Sequence, residues 1–436
     1  MSGWQSRSFG RREVGVRGAQ VLEPGPLRRL YWRFRAHSGT RLTVAGRPLG
    51  PLDETKHFKI IGTTGTGKST VIRELLAAAL ARGDRAVIAD PDGGYCARFF
   101  DPWRADRILN PFMTRSVRWE PLTELEDLAD PEHLAAALIS SSADSAAAEW
   151  RGYARAFVAA VLERCRLIPE CDTRELWRLI AVAGVEELRP LLAGTPAQPF
   201  LDRDNARMFG SLRSIAVSAL RPLDFVQWQG GAPFSVRHWV RQGRGALFIP
   251  YTARQIAALR TLIATWMGLA IYEALSQEEG VDQRLWLVVD ELDALGAIEG
   301  LKDALTRLRK FGGRCVLGLQ AVSQISATYG QGVGQSIIEN CGNTLILRCS
   351  GSENGGTSQF ASKLIGDREV VRRQRSRGRD GSGALFSGGG RHSVQISEQR
   401  MVEPAVLAAQ LEQLPDLHGY LKIASSPTWH AVRITR

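Results

Sequence analysis

Residues 62–69 read Gly-Thr-Thr-Gly-Thr-Gly-Lys-Ser, a complete match to the pattern Gly-x-x-x-x-Gly-Lys-Ser/Thr. The pattern works only between a buried strand and a helix. His57–Ile61 supplies an apolar run that ends in glycine, and Ser69–Ala81 supplies strong helix formers closed by Gly83. The glycines let loop amides turn inward around a phosphate without Cβ clashes. The helix N-terminus adds a field that favours anions. Gly62, Thr63, Thr64, Gly65, Thr66, Gly67, Lys68, Ser69 and Thr70 are therefore the expected ATP-binding residues. Lys68 is placed to reach the β- and γ-phosphates, and the Ser69 hydroxyl to ligate Mg2+.

Arg85–Ala89 reads as a second strand, ended by Asp90-Pro91-Asp92-Gly93-Gly94. Strand, loop, helix and strand in that order form a βαβ unit, which implies a parallel sheet covered by helices. Strands recur at Ala246–Pro250, Leu285–Val289, Cys315–Leu319 and Thr344–Leu347, with helices at Ala253–Leu275 and Gly300–Phe311. Leu285–Val289 ends in Asp290-Glu291, which places two acids at the edge where ligands bind in such sheets. Asp290 would hold Mg2+ through water, and Glu291 would polarise an attacking water. Gln320, at the end of Cys315–Leu319, could sense the γ-phosphate or simply cap the next helix. Arg309, with Arg307 and Arg314 behind it, could act as a finger toward a neighbouring subunit's nucleotide or lie on an exposed basic face. Asp90 and Asp92 could order magnesium or water, and a plain turn is the slightly favoured reading.

Between Glu120 and Gln229 the pattern changes to helical periodicity, over Asp130–Ile139, Ala146–Leu167, Thr173–Ala183 and Asp204–Val226. The expected division is a nucleotide-binding domain in two parts, residues 1–116 and 232–436, with an all-α insertion at 117–231. Residues 1–50 read as a basic arm, with a small hairpin around Ala45-Gly46. Residues 366–393 are rich in Arg, Gly and Ser and read as a mobile loop.

At 44% hydrophobic and 23% charged residues, the 436-residue chain has the composition of a folded globular protein. Its net charge of +11 is uneven. Residues 1–47 hold ten arginines against two glutamates, and 366–400 hold eight arginines against four acids. Basic excess in arms and loops suits nucleic acid or anionic lipid, though it also suits a solvated surface. The six cysteines show no metal spacing and read as ordinary thiols. No run approaches the roughly 18 apolar residues of a membrane span, and no secretory signal is visible.

Together these residues resemble the TraD/TraG/VirD4 group of conjugative coupling ATPases. The resemblance rests on His57–Thr70, Ala89–Gly93, Asn110–Trp119, Leu287–Asp293, Phe311–Gln320, Ile337–Leu347 and the ending Leu407–Leu421. Asp92 departs from it, since many relatives have Lys there. The resemblance implies a RecA-like α/β domain with an inserted all-α domain, assembled as a homo-hexameric ring. It implies ATP-driven pumping of single- or double-stranded DNA, without sequence preference, from a relaxase complex toward type IV secretion channel components. It also implies two N-terminal membrane helices that are not seen here. The chain then corresponds to the cytoplasmic portion of a bacterial inner-membrane protein, compatible with a monomer when isolated. A nucleotide-regulated docking adaptor and a protein-substrate secretion ATPase are the alternative readings. Arg29–Arg35 would face an anionic membrane surface. Pelleting with liposomes should then rise with anionic lipid content, and indifference to lipid charge would remove that role.

Overall fold

Along the strand that precedes the glycine loop, Phe58 and Ile60 belong to one buried cluster and Ile61 to another. The same alternation divides Trp286 and Val288 from Leu285, Leu287 and Val289. Strands apolar on both faces belong in a sheet covered on both sides. The computed structural model describes residues 13–23, 42–140, 144–280, 283–352, 356–379 and 392–435.

Its strands are, in chain order, β1 (Glu13–Gly18), β2 (Val21–Leu22), β3 (Thr43–Val44), β4 (Arg47–Pro48), β5 (Phe58–Ile61) and β6 (Arg85–Pro91). Next come β7 (Arg107–Ile108), β8 (Arg118–Trp119), β9 (Pro233–Phe234), β10 (Ala246–Tyr251), β11 (Leu285–Val289) and β12 (Gly313–Leu319). The last are β13 (Asn343–Ile346), β14 (Asp367–Arg379), β15 (His392–Pro404), β16 (His418–Lys422) and β17 (Trp429–Arg433). The main sheet has ten strands in the order β2-β17-β16-β13-β5-β12-β11-β6-β10-β7. Every pair from β13 to β7 is parallel, and β16 and β17 turn antiparallel at the other side. The fold is thus α/β, with a mostly parallel central sheet and an all-α domain, as the sequence pattern implied. The Lys68–Ala81 helix covers one face, burying Val71, Ile72, Leu75, Leu76 and Ala79. Ile256–Leu275 covers the other.

That second helix corrects one expectation. By length and composition Ile256–Leu275 is apolar enough to cross a membrane. It is instead a core helix, with Leu262, Ile263, Trp266, Met267 and Ala270 almost fully enclosed.

β8 and β9 pair in parallel where the chain leaves the sheet and returns to it. All regular elements described between them are helical. The expected helix over 204–226 breaks into Ala206–Leu220 and Leu223–Val226, because Pro222 has no amide to donate. A short helix, Val185–Leu191, carries Pro190 inside it and escaped the periodicity reading. Hydrogen bonds converge on Glu124 where the helical part meets the sheet. Its carboxylate accepts from Trp119 Nε1, Ser235 Oγ, Val236 N and Arg237 N. Arg237 in turn pairs with Asp130 at 2.7 Å and Glu273 at 3.0 Å, all three nearly inaccessible.

Two other expectations change. Residues 366–393 do not form a loop throughout, because β14 and β15 make a thirteen-residue antiparallel ladder from Asp367↔Pro404 to Arg379↔His392. Polar composition argues against a packed core, but a ladder's backbone bonds do not depend on side-chain polarity. The ladder is also supported where it starts. Val370 is buried, and Glu403 pairs with Arg368 and Arg372 at 2.9 Å. Likewise the N-terminal arm is partly structured, since β1 pairs with β14 and β2 joins β17. Arg29–Arg35 lies outside the described residues. The hairpin around Ala45-Gly46 is present as β3 and β4. All six cysteines are free thiols, five of them buried.

Removing Arg237 should leave Asp130 buried without its cation, while Glu273 keeps Arg241. Arg237→Ala is expected to lower stability by about 3–5 kcal/mol, measured as the shift in urea unfolding.

Candidate active site

β5 delivers the chain into the glycine loop between β12 and β13. Gly62 N donates to Leu319 O at 3.0 Å, and Thr63 N donates to Arg348 O at 2.9 Å. Gly67 stands at φ 116°, in the left-handed region, and passes directly into the Lys68–Ala81 helix. A Cβ there would also sit 2.8 Å from Leu417 Cδ2. Thr66 Oγ1 closes the loop onto Thr63 O at 2.7 Å. Thr64 and Gly65 form the exposed crest, and Thr70 lies half-buried one turn into the helix. Lys68 is buried, with Nζ donating to Gly62 O at 2.7 Å and Thr63 O at 3.1 Å. Burial lowers its pKa, against the raising influence of Asp290 and Glu291.

Because β12 lies between β5 and β11, three strand ends converge at one edge: the glycine loop, Gln320 and Asp290-Glu291. Ser69 Oγ donates to Asp290 Oδ2 at 2.6 Å, across 221 residues of sequence. Tyr95 OH donates to the same oxygen at 2.7 Å. Asp290 Oδ1 is buried and has no hydrogen-bond partner among the described residues. Gln320 Nε2 donates to Glu291 Oε1, and Thr64 Oγ1 lies 3.4 Å from Gln320 Oε1. Gln320 therefore bridges the loop crest and Glu291 rather than capping a helix. Burial, and then the Asp290 charge, raise the Glu291 pKa above the ordinary glutamate value. Beside Glu291 opens a cleft of about 340 Å³ that Asp293, Gln320, Gln324 and Thr328 also line.

The strands approach closely behind these acids. A Cβ on Gly318 would fall 1.9 Å from Asp290 O, so only glycine lets β12 pass the end of β11. No local sequence pattern marks Gly318 or Tyr95. Tyr95 enters because Asp90 accepts from Tyr95 N at 3.0 Å and Cys96 N at 2.7 Å, which anchors the start of the Gly94–Phe99 helix. Asp90 is thus a buried structural acid, its carboxyl pushed up to about 6 by burial. Asp92 is an exposed turn residue at φ 58°.

Arg309 is not brought to this site within one chain. It precedes β12, whose seven residues span about 23 Å before Gln320. Its surroundings confirm that placement at the far edge. Burial above all, aided by the Arg309 and Arg314 charges, holds the His57 imidazole down at about 4. Arg307 and Arg309 are exposed. Arg314 is removed from the candidates for a finger. It is 4% exposed, pairs with Glu54 at 3.3 Å and lies 5.8 Å from the Trp286 ring centre.

The family model described as the type IV secretion-system coupling protein DNA-binding domain matches residues 41–435. The chain belongs to this family. Among solved coupling proteins, the bacterial conjugative coupling protein TrwBdeltaN70 in its unbound form superposes with a TM-score of 0.82. It is 30% identical, over 97% of this chain and 93% of that one. Plasmid coupling protein TrwB in complex with ADP and Mg2+ gives 0.82 and 30%, over 98% and 94%. The coupling protein TraD of Escherichia coli K12 is 29% identical over 391 residues, 88% of this chain and 53% of TraD. The chain thus spans about half the length of that curated relative.

The shared Asp290 oxygen gives this coupling protein a measurable joint. Tyr95→Phe should lower stability by about 1.5–3 kcal/mol, the range for a hydrogen bond to a charged group, read from denaturant titration.

Proposed function

We propose that this chain is the ATP-hydrolysing motor portion of a coupling protein that moves DNA toward a type IV secretion channel. One observation carries the nucleotide reading. Ser69 and Asp290 meet at 2.6 Å, with the second Asp290 oxygen buried and without a hydrogen-bond partner among the described residues. A hydroxyl and a carboxylate with spare acceptor capacity suit Mg2+, which takes few protein ligands and shares substrate phosphates. Solved TrwB carries ADP and Mg2+ in this fold. Ser69 and Asp290 would hold the ion, which when bound would neutralise charge on the phosphate oxygens.

The chain's own residues do the remaining work. Amides of the loop from Gly62 to Thr70 grip the phosphates. Lys68 exchanges its two loop carbonyls for β- and γ-phosphate oxygens. Glu291 takes a proton from the attacking water, and Gln320 orients that water while keeping Glu291 in place. Arg309, exposed at the opposite edge, supplies its charge to a neighbouring subunit in a ring of six. DNA as cargo is supported by the family's description as a DNA-binding domain and by the uneven basic charge. We assign the all-α insertion to residues 117–231 and the site of action to the cytoplasmic face of the bacterial inner membrane. A relaxase delivers the DNA, and channel components receive it.

Lys68→Thr and Glu291→Gln should each abolish ATP turnover, with Glu291→Gln retaining nucleotide binding. Arg309→Ala should lose turnover but keep binding, and mixing it with the Lys68 variant should restore part of the rate. The acid limb of the kcat–pH profile should lie above the ordinary glutamate range, because Glu291 must be ionised to accept a proton. DNA should stimulate turnover. Indifference to both single- and double-stranded DNA would sink the cargo assignment and leave an adaptor or a protein-secretion ATPase.

A further inference from the structure

The loop after β7 and the base of the helical domain hold aromatic rings in the open. Phe112 is 43% exposed and Trp228 71% exposed. Neither is loosely held. Asn110 Nδ2 donates to Pro250 O at 2.7 Å, and Phe112 N donates to Asn110 Oδ1 at 2.8 Å, which fixes the loop to the end of β10. The Phe112 ring centre then lies 4.9 Å from that of Phe225. Phe225 and Trp228 are three residues apart, and Gln227 between them keeps helical angles of −58° and −21°. Residues at that spacing are neighbours on one face. The Arg174 guanidinium carbon lies 5.0 Å from the Trp228 ring centre, occupying one of its two faces. A track therefore runs from Phe112 through Phe225 to Trp228.

Exposed arginines flank it, alongside the Asp224 and Asp172 carboxylates. Arg115 and Arg221 are exposed, and among the described residues neither makes an ion pair or a side-chain hydrogen bond. Asp224 is already bound by Gln227 Nε2, and Asp172 accepts from Glu175 N. β7 is parallel to β10, so this loop emerges on the same sheet edge as the glycine loop. It lies five strands away, roughly 24 Å at the usual strand spacing. The track is thus beside the nucleotide edge but outside the nucleotide chemistry.

We propose that Phe112, Phe225 and Trp228, flanked by Arg115, Arg174 and Arg221, form a stacking platform for single-stranded DNA. Bare ring faces engage bases only when those bases are unstacked, and duplex DNA hides its base faces. Arginines beside the rings neutralise the phosphates between stacked bases. Both contacts are indifferent to sequence, as a transported strand requires. The platform rests on the DNA reading above and assigns it a surface.

The test measures the full chain's affinity for a fluorescently labelled oligothymidylate and for a labelled duplex at fixed salt. Trp228→Ala should weaken oligothymidylate binding roughly fivefold to a hundredfold, and Phe112→Ala should act in the same direction. Trp228→Phe should recover most of the affinity. Duplex affinity and DNA-free ATP turnover should stay at wild-type values, which also shows that the variants fold. Oligothymidylate binding unchanged in both alanine variants overturns the platform, as does an equal loss of both nucleic acids. Variants that alter sedimentation but not binding per subunit also overturn it, because the surface is then a contact between copies. A wild-type chain that binds neither nucleic acid removes the DNA reading itself.

Discussion

The Asp290 carboxylate is where the molecule is tied together. It sits at the end of a central strand, accepts hydrogen bonds from the Ser69 and Tyr95 hydroxyls on one oxygen, and keeps the other oxygen buried. Each partner belongs to a different βα connection. Ser69 is fixed by the turn at Gly67, and Tyr95 by the buried Asp90 that starts its helix. Gly318 lets the neighbouring strand pass against the Asp290 carbonyl. A parallel sheet converges its strand ends by construction. The order β5-β12-β11 makes the convergence chemical, because it seats Gln320 between the phosphate loop and Glu291.

Much of this was legible in the sequence because it was encoded locally. The glycine spacing, the apolar run before Asp290-Glu291 and the strand before Gln320 each carry their meaning within about ten residues. Six main-sheet strands are legible to within two residues for the same reason. Tyr95 and Gly318 were not legible, since their importance lies in contacts with Asp290 from distant parts of the chain. The β14–β15 ladder is hidden for a different reason. Composition reports what side chains can bury, whereas this ladder depends on backbone pairing and on β1 along its edge. The Ile256–Leu275 helix is legible as a helix, but Arg260 and Glu273 break its apolar run.

The two edges of the sheet have different characters. One gathers the phosphate loop, the acids and the cleft beside Glu291. The other holds Arg309 outward, near the suppressed His57, while Arg314 is taken inward by Glu54 and Trp286. A single chain thus holds the acidic site and Arg309 at opposite edges of one sheet.

The knot of hydrogen bonds at Glu124 bears on how the helical domain can be handled as a unit. Its carboxylate is satisfied by Trp119 on the way out and by Ser235, Val236 and Arg237 on the way back. Trp119 also packs edge-on against Trp266 of the core helix, and Thr265 donates to Ala137 O across the same boundary. The domain is therefore an insertion in sequence but not a detachable module in space. A fragment cut at residues 117 and 231 would leave Glu124 without three of its four donors and would expose Trp119. Grafting it onto another scaffold would require carrying part of the sheet with it.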